Sequence, residues 1–398
     1  DEPPRSPDDR GPATLGGSRR SSASAAAAGA PAAMPAAPAP SSPRRQPFFD
    51  VEALPAGHGD CLWIEYGDAA TTHRWLIDCG PPATKETLLR RVDAVPPNER
   101  LLELFVMSHI DSDHIGGALP LFGAVQRGLR FSDVWFNGWR HISGQLGARQ
   151  GEMFSTAIQD FELPWNVWRN EGTIKVDDGP LPEYMLPGGM KLTLLSPTPA
   201  ELAKLKPVWS RELKKAGLEP GARVDYSRLL KGAPSTSTDI DELADTPFGG
   251  DNGAPNGSSI ALLAEYKGAA ALLGADAHAP VLVKSIRKLI QARGVPRLKV
   301  DLFKVSHHGS QNNVSSELIQ LLDCPRYLIS TNGDHFCHPD RQAIARIIKY
   351  GGPSPALYFN YRSKYNAVWG DPAQQARWTQ KFTTSYAAAD QSAIVSLL

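Results

Sequence analysis

The sequence is short of cysteine, of net charge and of long apolar runs, and each shortage excludes something. Its four cysteines, Cys61, Cys79, Cys324 and Cys337, form no CxxC pair and no dense framework in 398 residues. That excludes a disulfide-stapled fold and suits a reducing compartment. Lys and Arg number 42, and Asp and Glu number 42, so the formal charge is zero. No general positive field advertises nucleic acid or an anionic membrane. No stretch approaches the ~18–20 unbroken apolar residues of a spanning helix, so no membrane span is expected. The expected location is cytoplasmic, with secretion as the alternative.

What is present divides at Phe48. Residues 1–47 hold 10 Pro, 12 Ala, 7 Ser and 6 Arg, and their only large apolar side chains are Leu15 and Met34. Such a segment buries too little surface to offset its chain entropy, so it is expected to be a disordered tail. Its alanine run at 25–28 is short and followed by prolines, which makes a poor signal-peptide core. The first residue is Asp1, and Met34 is a candidate natural start. A flexible tail of this kind would suit tethering to a protein partner. The rest of the chain, 48–398, carries 36 basic and 38 acidic residues. It reads as one domain with an inserted region at about 140–255.

Patterning and turn residues predict strands at Phe48–Leu54, Cys61–Tyr66, Arg74–Asp78, Leu101–Met107, Asp133–Asn137, Met190–Leu195, Ser259–Tyr266, Ala269–Leu273, Val300–Val305 and Arg326–Ser330. They predict helices at Lys85–Val95, Leu119–Val125, Thr198–Ala216, Val281–Arg293, Ser315–Leu322 and Arg341–Tyr350. Residues 217–257, rich in Gly, Pro, Ser, Asp and Thr, read as a long loop. A β-rich first half followed by alternating β and α implies α/β layers.

Four loops carry chemistry, and each follows an expected strand. His109-Ile-Asp111-Ser-Asp113-His114 places four potential metal ligands within six residues and is closed by Gly116-Gly117. Open α/β sheets place their sites at such strand ends. His307-His308-Gly309-Ser310 follows Val300–Val305; one ring of an adjacent pair can face a metal while the other faces substrate or a supporting group. Asp276 ends the apolar run at 269–273. Its two oxygens can bridge two cations, and the alternative is a cap for the following helix. His278, just beyond, reads as a surface residue. In the loop 330–339, His338 is the candidate ligand, with His335 and Cys337 as alternatives. His109, Asp111, Asp113, His114, Asp276, His307 or His308, and His338 are too many donors for one ion and about right for two. Two ions ~3.5–4 Å apart can generate hydroxide at neutral pH and clamp a developing oxyanion.

His109-x-Asp111-x-Asp113-His114 is similar to the HxHxDH signature of the metallo-β-lactamase superfamily. The aspartate at its second place, with His-His-Gly-Ser and His-Pro later, resembles the ComEC-type branch, which includes the hydrolase domain of the bacterial DNA-uptake channel. Gly59-Asp60, Leu76-Ile-Asp78-Cys-Gly80 and Asn256-Gly-Ser-Ser259 extend the resemblance, which runs from about Phe48 to about Phe359. It implies a four-layer αββα sandwich of the metallo-β-lactamase fold with the site at one edge. It also implies a ligand set: His109 with His307 or His308 on one metal, Asp113, His114 and His338 on the other, and Asp276 between them. Asp111 stands where many relatives have a ligand histidine, as an oxygen ligand or a proton acceptor. The extra carboxylate makes Mn²⁺ a competitor to Zn²⁺. Asp60 and Asp78 are expected to support ligands. Ala275 departs from the branch, which usually has glycine there.

The expected function is that of a binuclear metallo-hydrolase acting on phosphoesters, a nuclease or a nucleotide phosphodiesterase. A metal-bridging hydroxide would attack, oriented by Asp111 or Asp113. His307, His308 or His338 would hydrogen-bond the phosphate or donate a proton. The alternatives are a lactone, thioester or amide hydrolase, and a non-catalytic metal-binding partner or sensor module. Zero net charge weighs against a long nucleic acid, unless Arg127, Arg130, Arg140, Arg149 and Arg169 make a local patch.

Overall fold

The computed structural model describes residues 46–143, 149–215 and 237–398. Residues 1–45, nearly all of the expected tail, lie outside them. So do 144–148 and 216–236, both within the expected insertion.

Among the described residues, eighteen strands form two large sheets and two small ribbons. In chain order they are β1 (Phe48–Ala53), β2 (Leu62–Gly67), β3 (Thr72–Ile77), β4 (Leu101–Leu102), β5 (Leu104–Val106), β6 (Arg130–Phe131), β7 (Val134–Trp135), β8 (Glu183–Met185), β9 (Lys191–Ser196), β10 (Ala261–Tyr266), β11 (Ala269–Leu273), β12 (Leu298–Lys299), β13 (Leu302–Lys304), β14 (Leu322–Asp323), β15 (Arg326–Ile329), β16 (Ala356–Phe359), β17 (Thr383–Tyr386) and β18 (Ala393–Ser396). One sheet has the order β18-β1-β2-β3-β5-β7, and the other β17-β16-β15-β13-β11-β10-β9-β8.

The period-2 pattern of the first sheet builds two cores. Trp75, Ile77, Leu104 and Val106 point into a core shared with the second sheet. Their neighbours Leu76 and Phe105 point to the opposite face. That face is covered by the helices Lys85–Asp93, Ala118–Phe122 and Arg149–Asp160. The second sheet reads differently: Ala269-Ala-Ala-Leu-Leu273 is buried throughout, as a strand covered on both faces must be. The helices Ala279–Arg293, Ser316–Gln320 and Arg341–Tyr350 supply the other cover. The result is the α/β architecture expected, four layers in the order αββα.

Three expectations need correction. The run Leu101–Met107 is two strands in different sheets, because β4 pairs with β6 while β5 pairs with β3 and β7. Glu103 interrupts it, buried against Tyr66 and His73. The described end of the expected 217–257 loop contains two short helices, Ile240–Ala244 and Ala254–Gly257. Past Phe359 lie two strands that patterning did not reveal: β17, whose Thr-Thr-Ser-Tyr offers only Tyr386 to the core, and β18, which pairs with β1. Among the described residues, no helix is long and apolar enough to cross a membrane.

Candidate metal centre

The parallel strands of both sheets end at one edge. β3 and β5 deliver Asp78 and the segment Ser108–His114. β11, β13 and β15 run parallel and deliver Asp276, His307 with His308, and Ser330. β1 is antiparallel to β2, which is antiparallel to β3, so the loop after β1 brings Asp60 to the same end. This is where open α/β sheets gather ligand-binding groups.

The backbone is bent to do this. Asp78, Ala275, His307 and His308 all have left-handed φ, between +44° and +58°. Each such non-glycine residue costs on the order of 1–3 kcal/mol, and such residues cluster where function demands them. The conformation at Ala275 also explains why glycine is the natural occupant there. Gly59 makes the closest approach: a Cβ on it would lie 1.8 Å from the carbonyl oxygen of Asp113.

Asp276 is the centre of the group. Its Oδ2 lies 3.3 Å from His114 Nε2, 3.7 Å from both His109 Nε2 and His307 Nε2, and 3.9 Å from His308 Nε2. Asp113 Oδ2 is 3.4 Å from His308 Nε2 and 4.0 Å from His114 Nε2. Asp111 Oδ2 is 3.7 Å from His109 Nε2, and its side chain is more open to solvent than those of the four histidines, 32% exposed.

Behind each ring a partner fixes Nδ1. His114 Nδ1 donates to Asp78 Oδ2 at 2.7 Å. Ser108 donates its N–H and O–H to the two oxygens of Asp78, and its hydroxyl oxygen lies 3.0 Å from His109 Nδ1. His307 Nδ1 donates to Asn313 Oδ1, and His308 Nδ1 to the Ser330 carbonyl, both at 2.8 Å. With Nδ1 engaged in this way, Nε2 faces inward, and loss of its proton would leave there the lone pair that a metal requires.

Four atoms at the centre have no hydrogen-bond partner although they are buried: Nε2 of His109, His114 and His308, and Oδ1 of Asp276. Buried polar atoms are almost always paired. Three imidazole nitrogens and a carboxylate oxygen converging unpaired therefore fit a divalent cation. Asp60, His114, Asp276 and His308 form a buried group whose candidate ligand atoms lie within 4.8 Å of one another and could hold an ion.

The electrostatics agree. Burial opposes charge on His114, Asp276, His307 and His308, yet the opposed signs outweigh it. The carboxylates of Asp276 and Asp251 hold His307 up at about 10. Asp60 and Asp276 hold His308 up at about 9. His114 is raised by Asp276, Asp78 and Asp113, and Asp276 is pulled far down by His114, His307 and His308. The carboxylates thus favour protonated imidazoles where a cation would sit, so ion uptake must expel those protons.

His338 stands off this group. Its ring centroid is 5.5 Å from that of His307, and its Nδ1 is 3.4 Å from Asp340 Oδ1. Both His307 and His308 reach Asp276, and His308 lies with Asp113 and His114, where the family pattern would set His338. His335 packs on His58, centroids 4.9 Å apart, and Cys337 Sγ accepts from Tyr365 at 3.1 Å. His278 is not a surface residue: it is buried, with Nδ1 3.2 Å from Glu201 and Nε2 2.9 Å from the Gly253 carbonyl. Four of the five arginines have described side chains, and each is engaged locally. Arg127 pairs with Asp93, Arg130 with the Asn98 carbonyl, and Arg169 with Asp177, while Arg140 lies over the Trp165 ring; nothing is described for the Arg149 side chain.

Sequence reasoning missed Asp251 and Asn313. Asp251 Oδ2 accepts from Asn256 and Asn313 and lies 3.5 Å from His307 Nδ1. Asp251 and Asn313 sit in Gly/Asn-rich loops that read as turns, and only three-dimensional proximity distinguishes them. The Asn256-x-x-Ser259 resemblance was the nearest signal.

No family model matches the chain, and no curated protein matches it. Solved structures do. The metallo-β-lactamase fold protein YhfI from Bacillus subtilis aligns at 11% identity over 88% of this chain and 100% of its own, with a TM-score of 0.38. CmlA, a diiron β-hydroxylase from Streptomyces venezuelae, aligns at 11% identity over 89% of this chain and 54% of its own, also with a TM-score of 0.38. The MIM-2 metallo-β-lactamase aligns at 12% identity over 76% and 84%, with a TM-score of 0.29. At such scores the likeness carries no argument, and the architecture rests on the sheet topology itself.

Proposed function

We propose that the protein is a binuclear metal-dependent hydrolase of phosphoesters. The observation that carries this reading is one carboxylate oxygen, Asp276 Oδ2, set 3.3–3.9 Å from four imidazole nitrogens. His109, Asp111 and His307 would hold one ion, and Asp113, His114 and His308 the other. Asp276 would be shared. Three carboxylates among four imidazoles make a fairly hard donor set, open to Mn²⁺ as well as Zn²⁺. Bound there, the ions would supply an acidified water and stabilise charge on the leaving oxygen.

The chain's own groups have distinct tasks in this reading. Asp111, open to solvent beside His109, would accept the proton of the attacking water through the carboxylate oxygen that does not hold the ion. His308 is fully enclosed, so it serves as a ligand rather than as a proton donor. Asp78 and Ser108 keep His114 and His109 aimed inward. Preference for a phosphoester over a lactone or thioester rests on the resemblance to the ComEC-type motif order and on the hard donors. Zero net charge and the local pairing of Arg127, Arg130 and Arg169 favour a small phosphodiester over a long nucleic acid.

Protein stripped by chelator should hydrolyse bis(p-nitrophenyl) phosphate only after Mn²⁺ or Zn²⁺ is restored. Folded protein that ignores this compound with either metal, yet opens a lactone or thioester, would move the reading to that bond. If Asp78 orients His114, Asp78→Asn should weaken metal binding by about 10–100-fold. Calorimetric metal titration checks this, and wild-type affinity in the variant would refute the role.

A further inference from the structure

Lys304 and Asp60 are 0% and 1% exposed, and they form an ion pair across the two halves of the fold. Lys304 ends β13, four residues before His308. Asp60 lies on the loop after β1 of the other sheet. A buried pair of this kind seldom adds net stability over apolar groups of the same shape, so its presence asks for another role.

Its surroundings suggest one. The Lys304 ammonium contacts Asp60 Oδ2. Asp60 Oδ1 lies 3.4 Å from His308 Nδ1 and has no hydrogen-bond partner of its own. The backbone N–H of Asp60 donates to the Asp113 carbonyl at 3.2 Å. The carbonyl of Gly59 accepts from the Ser330 hydroxyl at 3.1 Å, and the Ser330 carbonyl accepts from His308 Nδ1 at 2.8 Å. Asp60 therefore touches the Asp113 loop through its backbone and His308 through its side chain. These are the contributions of the two different sheets.

We propose that the Asp60–Lys304 pair is a brace that positions His308 against the Asp113 loop, and that Asp60 is not itself a metal ligand. The inference rests on the metallo-hydrolase reading above. Asp60 faces the Nδ1 edge of His308, whereas the unpartnered Nε2 on the opposite edge faces Asp113 and Asp276. Asp60 lies near enough to His114, Asp276 and His308 to share an ion with them, but an ion on its carboxylate would meet the Nδ1–H edge of His308 and the Lys304 ammonium, both of which repel it. Lys304 neutralises the carboxylate, so Asp60 can stand behind the imidazole without drawing an ion away from the centre.

Cobalt(II) reports the outcome through its visible spectrum, independently of turnover. The double variant Lys304→Met/Asp60→Asn removes both charges with little change of volume. It should keep the wild-type thermal unfolding profile and still take up two ions. One of the two should bind about 10–100-fold more weakly, with a shifted visible band. Wild-type affinity and spectrum in the folded double variant would overturn the proposal. So would an Asp60→Asn variant that takes up only one ion, since Asp60 would then be a ligand. Asp60→Asn, which leaves Lys304 an acceptor, gives the affinity and spectral readout if the double variant does not fold. Wild-type protein that binds no cobalt would instead sink the metallo-hydrolase reading, and the brace with it.

Discussion

Asparagine in place of Asp276 is expected to abolish metal-dependent turnover and to weaken metal binding by more than about 100-fold, beyond the cost of losing a group that merely supports a ligand. The substitution keeps the shape and removes the one negative charge within 4 Å of His109, His114, His307 and His308 Nε2 together. Both proposed ions would lose a shared donor, so neither half of the centre would be spared. The variant should fold, because the imidazoles can shed the protons that Asp276 helps them hold. Metal content after dialysis and hydrolysis of the activated phosphodiester both check this. A variant retaining two tightly bound ions would remove Asp276 from the centre of the mechanism.

Gly59→Ala is expected to destabilise the fold by about 3 kcal/mol or more, at or above the usual range for overpacking. The new methyl would lie 1.8 Å from the Asp113 carbonyl oxygen and 2.9 Å from Pro81 Cδ. The first obstacle is backbone, which cannot swing aside as a side chain can. The hydrogen bond from Asp60 to that carbonyl would open, and Asp113 would move with it. Urea unfolding measures the loss, and activity per folded molecule should fall as well. Gly123→Ala is the control: its added methyl meets nothing within 4 Å, and its stability should stay within about 0.5 kcal/mol. Equal stability of the two variants would mean that the close approach at Gly59 is not real.

The loops with chemistry were legible because strand, ligand and helix follow one another in the chain. His109, Asp113, His114 and Asp276 could be read as donors from their place after apolar runs. The division of labour between His307, His308 and His338 could not. It depends on two consecutive left-handed residues that turn both rings of 307 and 308 toward Asp276, and no side-chain pattern announces that backbone. Asp60 and Lys304 are 244 positions apart, so their pairing exists only once the sheets have packed. Among the sheets, strands with alternating or continuous apolar side chains could be seen. β17 could not, since its Thr-Thr-Ser-Tyr shows no apolar pattern and only Tyr386 packs on the core, beside the parallel pairing with β16.

The pairing of β18 with β1 has a consequence for synthesis. β1 opens the described fold and carries the Asp60 loop, yet one of its edges stays bare until Ser396 has been made. A nascent chain would therefore present Phe49 and Val51 on an open strand, the kind of template that neighbouring chains can extend. The site loops would wait on the last residues of the sheet, so ribosome-bound chains stalled before Ala393 should be aggregation-prone.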